Sequence, residues 1–214
     1  IYRNDSFIVY GINEDDFPST LMNSGGGNPY DKAKATADEL RTYLQNLSAA
    51  DKEKVIYILC HVPLHAGRND NPGGYYMANM LNEVIDNDLD IVFVWGHNHS
   101  YNTENILVTK GMTYGFYHDP DGDNVDDGTS IDLTVEFTYV NSGYIREGHG
   151  MLATVNEDTI ILQRYTASGE SGSPDIIERF PDDTVNTAPV LETIGNKEID
   201  ELTELRFTVT ATDL

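Results

Sequence analysis

Residues 91–99, Ile-Val-Phe-Val-Trp-Gly-His-Asn-His, decide how this chain is expected to fold. Their first five residues are continuously apolar, which is typical of a parallel β-strand covered on both faces. A second run of this kind, Val-Ile-Tyr-Ile-Leu-Cys at 55–60, is followed by His61. Both predicted strands therefore present histidines at their carboxyl ends, where open α/β sheets collect functional groups.

Amphipathic helices are predicted before each of these two strands. Apolar residues recur at steps of three and four between 33 and 47, and again between 77 and 85. A further strand is predicted at 7–12, followed by a loop rich in Gly, Asn and Pro at 18–29. The alternation of strands and helices predicts parallel α/β packing.

The chain changes character after Ser100. Residues 167–187 are rich in Ser, Gly, Pro and Asp and predict a linker, whereas 188–214 look like the first two strands of another β domain. We therefore divide the chain into an α/β domain at 1–166, a linker at 167–187 and the start of a β-sandwich at 188–214. Within the first domain, short β-rich runs are predicted at 106–108, 133–140, 152–155 and 159–165, with an acidic loop at 118–128.

The composition limits the classes of function. The chain has 214 residues and is 39% hydrophobic, which is enough to build a core. Its 13 Lys and Arg against 36 Asp and Glu give a net charge of -23, which disfavours binding to nucleic acids or anionic membranes. Cys60 is the only cysteine, so no intrachain disulfide forms. No apolar run reaches the roughly 20 residues that a membrane-spanning helix needs.

The histidines after the two buried strands predict a transition-metal site. Gly96 allows a sharp turn, on which His97 and His99 converge on one centre or on two adjacent ones. An isolated histidine would more often be a hydrogen-bonded polar group near the core. A helical zinc-protease motif built on His61 and His65 is excluded, because Pro63 would break the helix.

Gly96-His97-Asn98-His99 resembles the closing Gly-His-x-His motif of calcineurin-like metallophosphoesterases, which include purple acid phosphatases and many nucleotidases and phosphodiesterases. His61 with Val62-Pro63-Leu64 resembles the preceding His-x-Pro-Leu motif of that family, and residues 7–13 are similar to the strand that follows its Gly-Asn-His-Glu motif. The resemblance implies the second half of a four-layer α/β/β/α sandwich.

The resemblance also implies the ligands and the reaction. His61 and His97 would ligate one metal and His99 a second, in a pair of divalent or trivalent Zn, Fe or Mn ions. Such a site hydrolyses phosphomonoesters or phosphodiesters through a bridging hydroxide, with a small-molecule phosphoester as substrate. His65 is expected to contact the substrate or its leaving group, with a surface loop histidine as the alternative.

The N-terminal motifs of the family do not occur ahead of His61 in these residues. They are Asp-x-His, Gly-Asp-x-x-Asp and Gly-Asn-His-Glu, which supply the bridging Asp and the remaining ligands. We therefore expect these ligands to come from a missing N-terminal half of the domain, and we expect this stretch alone to be inactive. The alternative function is a non-catalytic extracellular binding or adhesion module on a degenerate phosphoesterase scaffold.

Two weaker signals concern calcium and location. Asp119, Asp121 and Asp123 alternate around a glycine, as in calcium loops, and predict a calcium site, with a solvated acidic turn as the alternative. Residues 186–190 and 207–213 look like the opening of an immunoglobulin- or cadherin-like repeat of bacterial surface proteins. They indicate a secreted or cell-surface location in a prokaryote.

Overall fold

The computed structural model describes residues 1–13, 15–18, 27–66, 71–85, 89–97, 106–121, 128–143, 148–179, 190–191 and 211–212. These residues form two compact units, Ile1–Phe180 and Pro181–Leu214. The first unit has mixed α/β structure and contains the predicted histidine site.

Strands and helices alternate in the first half of this unit, and strands dominate the second half. The helices are α1 (Pro29–Gln45), α2 (Ala49–Lys52) and α3 (Gly74–Val84). The strands are β1 (Tyr2–Arg3), β2 (Phe7–Gly11), β3 (Val55–Leu59), β4 (Asp90–Trp95), β5 (Leu107–Val108), β6 (Thr113–His118), β7 (Thr129–Thr134), β8 (Thr138–Asn141), β9 (Gly150–Val155), β10 (Thr159–Thr166), β11 (Gly169–Glu170) and β12 (Asp175–Glu178).

The main sheet has six strands in the order β1-β2-β3-β4-β8-β5. Strands β2, β3, β4 and β8 run parallel, whereas β1 and β5 pair antiparallel at the two edges. In this register Gly11 faces Leu59, and Trp95 faces Asn141. The carboxyl ends of four parallel strands therefore meet along one edge of the sheet, which we call the histidine edge because His61 and His97 follow two of them.

Helices α1 and α3 cover one face of the main sheet. Helix α1 begins at Pro29, after Asn28, whose side-chain oxygen accepts a hydrogen bond of 2.8 Å from the backbone N–H of Tyr30. The β6–β7 hairpin packs against α3 on the same side. The core beneath them includes the predicted apolar stripes of both helices, namely Ala33, Ala37, Leu40, Leu44, Met77, Met80 and Leu81.

A second sheet covers the other face of the main sheet. Strand β10 lies at its centre and pairs antiparallel with β9 on one side and with β12 on the other. Ile160 and Leu162 of β10 pack against Val55, Val92 and Val140 of the main sheet. The described part of the unit is therefore layered as helices, main sheet and second sheet.

Arg179 links the second sheet to the amino-terminal ends of β3 and β4 in the main sheet. Its Nε lies 2.7 Å from Oδ2 of Asp90, and this ion pair is largely buried. Its two Nη groups donate to the carbonyl oxygens of Asn156, Glu157 and Glu53. One side chain thus joins the end of β12 to the amino-terminal ends of β3 and β4.

The predicted α/β class is confirmed, and so are the helices before β3 and β4. The run predicted as one strand at 133–140 is two strands, β7 and β8, because Val135 and Phe137 are buried between them and make the run look continuous. Strand β6 was not predicted, since Gly115 interrupts its aromatic residues in a segment rich in turn formers.

The segment predicted as a linker at 167–187 contains two strands of the first unit. Strand β12 pairs with β10 through Ile176 and Ile177, so the unit continues to Phe180. Two isoleucines among Ser, Gly, Pro and Asp are too few to mark a strand by composition, but pairing with β10 is enough to order them.

The second unit, by itself, shows one antiparallel strand pair in its described residues. Val190–Leu191 pairs with Ala211–Thr212, with Val190 opposite Thr212. The other residues of the predicted β-sandwich lie outside the described part. Across the described residues, no helix combines the length and the apolar character that crossing a membrane requires.

Candidate metal centre

His61 and His97 lie side by side at the histidine edge. His97 Nδ1 is 2.9 Å from His61 Nε2, and the two rings meet edge to face with centroids 4.8 Å apart. His61 follows β3 and His97 follows β4, which are neighbours in the sheet. The structure therefore brings these two histidines together, whereas their role as metal ligands stays a prediction.

The backbone of His97 has an unusual conformation. Its φ is +70°, and it is the only non-glycine residue with positive φ in the described part of the chain. A left-handed residue other than Gly, Asn or Asp costs on the order of 1–2 kcal/mol. Strained residues of this kind cluster at active sites, ligand clamps and switch regions. Here the strained residue is the one whose ring contacts His61.

The peptide group between Trp95 and Gly96 is hydrogen-bonded at both of its polar atoms. Its N–H donates to the carbonyl oxygen of His61 at 3.2 Å. Its carbonyl oxygen accepts from the backbone N–H of Ser142 at 2.8 Å and from the Ser142 hydroxyl at 3.1 Å. This peptide group therefore connects the ends of β3, β4 and β8 immediately before His97.

The two imidazoles lie close enough to bind one metal ion. The distance of 2.9 Å between His61 Nε2 and His97 Nδ1 is that of a hydrogen bond between the two rings. Two nitrogens on one tetrahedral Zn ion are roughly 3.3 Å apart, so a small outward shift of the rings would let a metal replace the shared proton. Imidazole nitrogens suit Zn, Fe and several other transition metals.

In the described residues, His61 and His97 are not joined by a third metal-ligating side chain. His99 lies outside the described part of the chain, as do the residues that follow it up to 105. Where the structure is described, no group of three or more His, Cys, Asp and Glu side chains gathers around one point. The described residues therefore bring together two of the three predicted histidine ligands.

His65 is buried in a ring of aromatic side chains. It is 6% exposed, and its ring contacts Trp95, Tyr114 and Tyr139. Its Nδ1 lies 2.8 Å from the Tyr139 hydroxyl, which also accepts a hydrogen bond of 2.8 Å from the backbone N–H of Leu64. The alternative of a surface loop histidine is wrong, and the predicted contact of His65 with substrate stays a prediction.

Burial controls the protonation of His65. Desolvation disfavours the charged imidazolium and lowers the pKa of His65 from 6.5 to about 4. At neutral pH the ring is therefore neutral. Because the Tyr139 oxygen accepts from Leu64, its own proton is available to Nδ1 of this neutral ring.

The predicted calcium ligands occupy different environments. Asp119 is 2% exposed, and its backbone N–H donates to the carbonyl oxygen of Pro72 at 3.0 Å. Asp121 is exposed, and its carbonyl oxygen accepts from the Asn28 side chain at 2.7 Å. Asp123 lies outside the described residues. The calcium site stays a prediction.

Sequence reasoning missed three residues that support the histidine edge. Tyr139 fixes His65, Ser142 holds the Trp95 carbonyl, and Arg164 donates from Nη1 to the Asn141 carbonyl oxygen at 2.7 Å. Each lies between 23 and 75 residues from at least one of its partners. A weak signal exists only for Arg164, a charged residue two positions after Leu162 on the alternating buried face of β10.

Comparison with known proteins adds no relative. No protein-family model matches the chain, and a search of curated proteins finds no match. The resemblance to metallophosphoesterases therefore rests on the strand-end histidine motifs and their spacing.

Proposed function

We propose that this chain supplies histidine ligands to the metal site of a phosphoester hydrolase of the calcineurin-like class. The observation that carries the proposal is the distance of 2.9 Å between His61 Nε2 and His97 Nδ1 at the ends of adjacent parallel strands. The left-handed backbone of His97 supports it, because strain of this kind needs a compensating role.

In this proposal the histidines of the chain bind the metal ions. His61 Nε2 and His97 Nδ1, which lie 2.9 Å apart, would bind one ion, and the resemblance assigns His99, two residues further on, to a second ion. A bound Zn, Fe or Mn ion supplies a water molecule of lowered pKa and stabilises negative charge on a transferring phosphoryl group. The substrate class we propose is small phosphomonoesters or phosphodiesters.

The finer architecture belongs to the same proposal. The layering of helices, main sheet and second sheet supports the second half of an α/β/β/α sandwich. The strand pair of the second unit and the surface-repeat motifs support the start of an immunoglobulin-like domain and a location outside the cell.

Metal analysis and hydrolysis of a chromogenic phosphoester by the full-length protein test this proposal. His61→Ala and His97→Ala should each lower the bound metal and reduce turnover by at least about 100-fold, since each removes a direct ligand. His118→Gln is the matched control, because His118 packs between Tyr30 and Tyr75 on the helix side of the main sheet. Unchanged metal content and turnover in both alanine variants would refute the site. Metal binding without hydrolysis in the wild type would favour the non-catalytic binding module.

A further inference from the structure

The Trp95–Gly96 peptide group connects the backbones that carry the two histidine rings. The Trp95–Gly96 peptide donates its N–H to the carbonyl oxygen of His61, the very residue whose ring faces His97. The next residue along the chain is His97, with its left-handed backbone. Rotation of this peptide would therefore move His97 relative to His61.

Ser142 prevents that rotation from the other side. It places two donors, its N–H and its hydroxyl, on the single Trp95 carbonyl oxygen at 2.8 and 3.1 Å. The N–H bond continues the pairing of β4 with β8, whereas the hydroxyl bond depends on the side chain alone. The hydroxyl is therefore the part of this contact that a substitution can remove without breaking the sheet.

The second sheet holds Ser142 in place. The preceding residue, Asn141, is 3% exposed, and its carbonyl oxygen accepts from Arg164 Nη1 of β10 at 2.7 Å. Its side-chain oxygen accepts from the N–H of Gly143 at 2.6 Å, which closes a turn around Ser142. Hydrogen bonds made by its two chain neighbours, Asn141 and Gly143, therefore fix the position of Ser142.

We propose that Ser142 is a positioning residue, whose hydroxyl holds the Trp95–Gly96 peptide and thereby keeps the His61 and His97 nitrogens close enough to bind one metal ion. This inference rests on the proposed function, since it assigns a purpose to the spacing of the predicted ligands. Groups that orient ligands without touching the metal commonly change metal affinity by about 10–100-fold when they are removed.

Cobalt titration of the full-length protein, followed by the visible absorption of Co²⁺, tests the proposal. Ser142→Ala should raise the dissociation constant for Co²⁺ about tenfold or more. The thermal unfolding midpoint of the protein in chelator should stay close to that of the wild type, because the backbone bond from Ser142 remains. Ser142→Thr keeps the hydroxyl and should restore the affinity. Ser130→Ala, which removes a serine hydroxyl from the β6–β7 hairpin, should change nothing.

A second readout separates positioning from general stability. Nitrogen NMR of the metal-free protein should show the imidazole contact between His61 and His97 in the wild type and in Ser142→Thr, and its loss in Ser142→Ala. Wild-type affinity in Ser142→Ala would overturn this inference and leave the proposed metal site standing. A loss of Co²⁺ affinity in Ser142→Ala that comes with a lower unfolding midpoint, with neither restored in Ser142→Thr, would also overturn it. Failure of the wild type to bind Co²⁺ would overturn the proposed function as well.

Discussion

Lowering the pH should destabilise the first unit through His65. The unfolded chain takes up a proton on this residue near pH 6.5, whereas the folded protein resists protonation until about pH 4. Between these values the unfolded state binds more protons, so stability falls as the pH falls. Above pH 6.5 the ring is neutral in both states and contributes no pH dependence.

The size of this effect follows from the difference between the two pKa values. A shift of about 2.5 units is worth roughly 3.4 kcal/mol once the pH is well below 4. Between pH 7.5 and pH 4.5 the expected loss is about 2.5 kcal/mol, because the rest develops only as the pH falls further, through the folded pKa of about 4. Such a loss is a large fraction of the stability of an ordinary domain.

Urea unfolding at a series of pH values, followed by the fluorescence of Trp95, measures the effect. Trp95 is the only tryptophan, is 1% exposed and packs against His65, so its signal reports on this core. Carboxylates also change charge in acid, so the relevant quantity is the difference in free energy of unfolding between the wild type and His65→Gln. As the pH falls from 7.5 to 4.5, the free energy of unfolding of the wild type should fall by about 2.5 kcal/mol more than that of His65→Gln.

A pH-independent difference for His65→Gln would refute the reasoning, since it would mean that the folded protein accepts the proton as easily as the unfolded chain does.

Three further predictions concern packing and calcium. Gly74→Ala should destabilise the first unit by about 1–3 kcal/mol, because a β-carbon there would collide with the Leu64 carbonyl; Gly150→Ala, where the space is open, is the control in thermal unfolding. Tyr139→Phe should cost about 1–3 kcal/mol in urea unfolding, because it leaves the buried N–H of Leu64 without its acceptor; a loss below about 0.5 kcal/mol would contradict this account. If the acidic loop binds calcium, Ca²⁺ should raise the unfolding temperature of the wild type and not that of the triple Asn variant, and an equal rise in both would leave only a solvated turn. The residues changed in that variant are Asp119, Asp121 and Asp123.

The sequence predicted the part of the site that depends on strand ends. Residues 55–60 and 91–95 are apolar enough to identify buried parallel strands, and parallel strands bring their carboxyl ends to one edge. The approach of His61 to His97 follows from that geometry. The 3.6-residue spacing of apolar side chains likewise identified α1 and α3, because each helix buries one face against the sheet.

Contacts between residues far apart in sequence were beyond such reasoning. The partner of His65 is Tyr139, 74 residues away, and only the parallel pairing of β4 with β8 brings them together. That pairing was hidden because apolar and polar residues alternate without a break over 133–139, as they would in a single strand. Burial of His65 followed from the same contact, so the sequence alone did not distinguish it from a histidine in a surface loop.

Two arginines align the two sheets at opposite ends. Stacked sheets that touch only through aliphatic side chains have few directional bonds to prevent one layer from sliding over the other. Arg179 binds Asp90 where β4 begins, and Arg164 binds the Asn141 carbonyl where β8 ends. Each layer is therefore fixed to the other along the strand direction, so a shift of the second sheet would pull on the turn that carries His97. The backbone amides of β3 and β10 should consequently exchange with deuterium in a single cooperative opening, and not layer by layer.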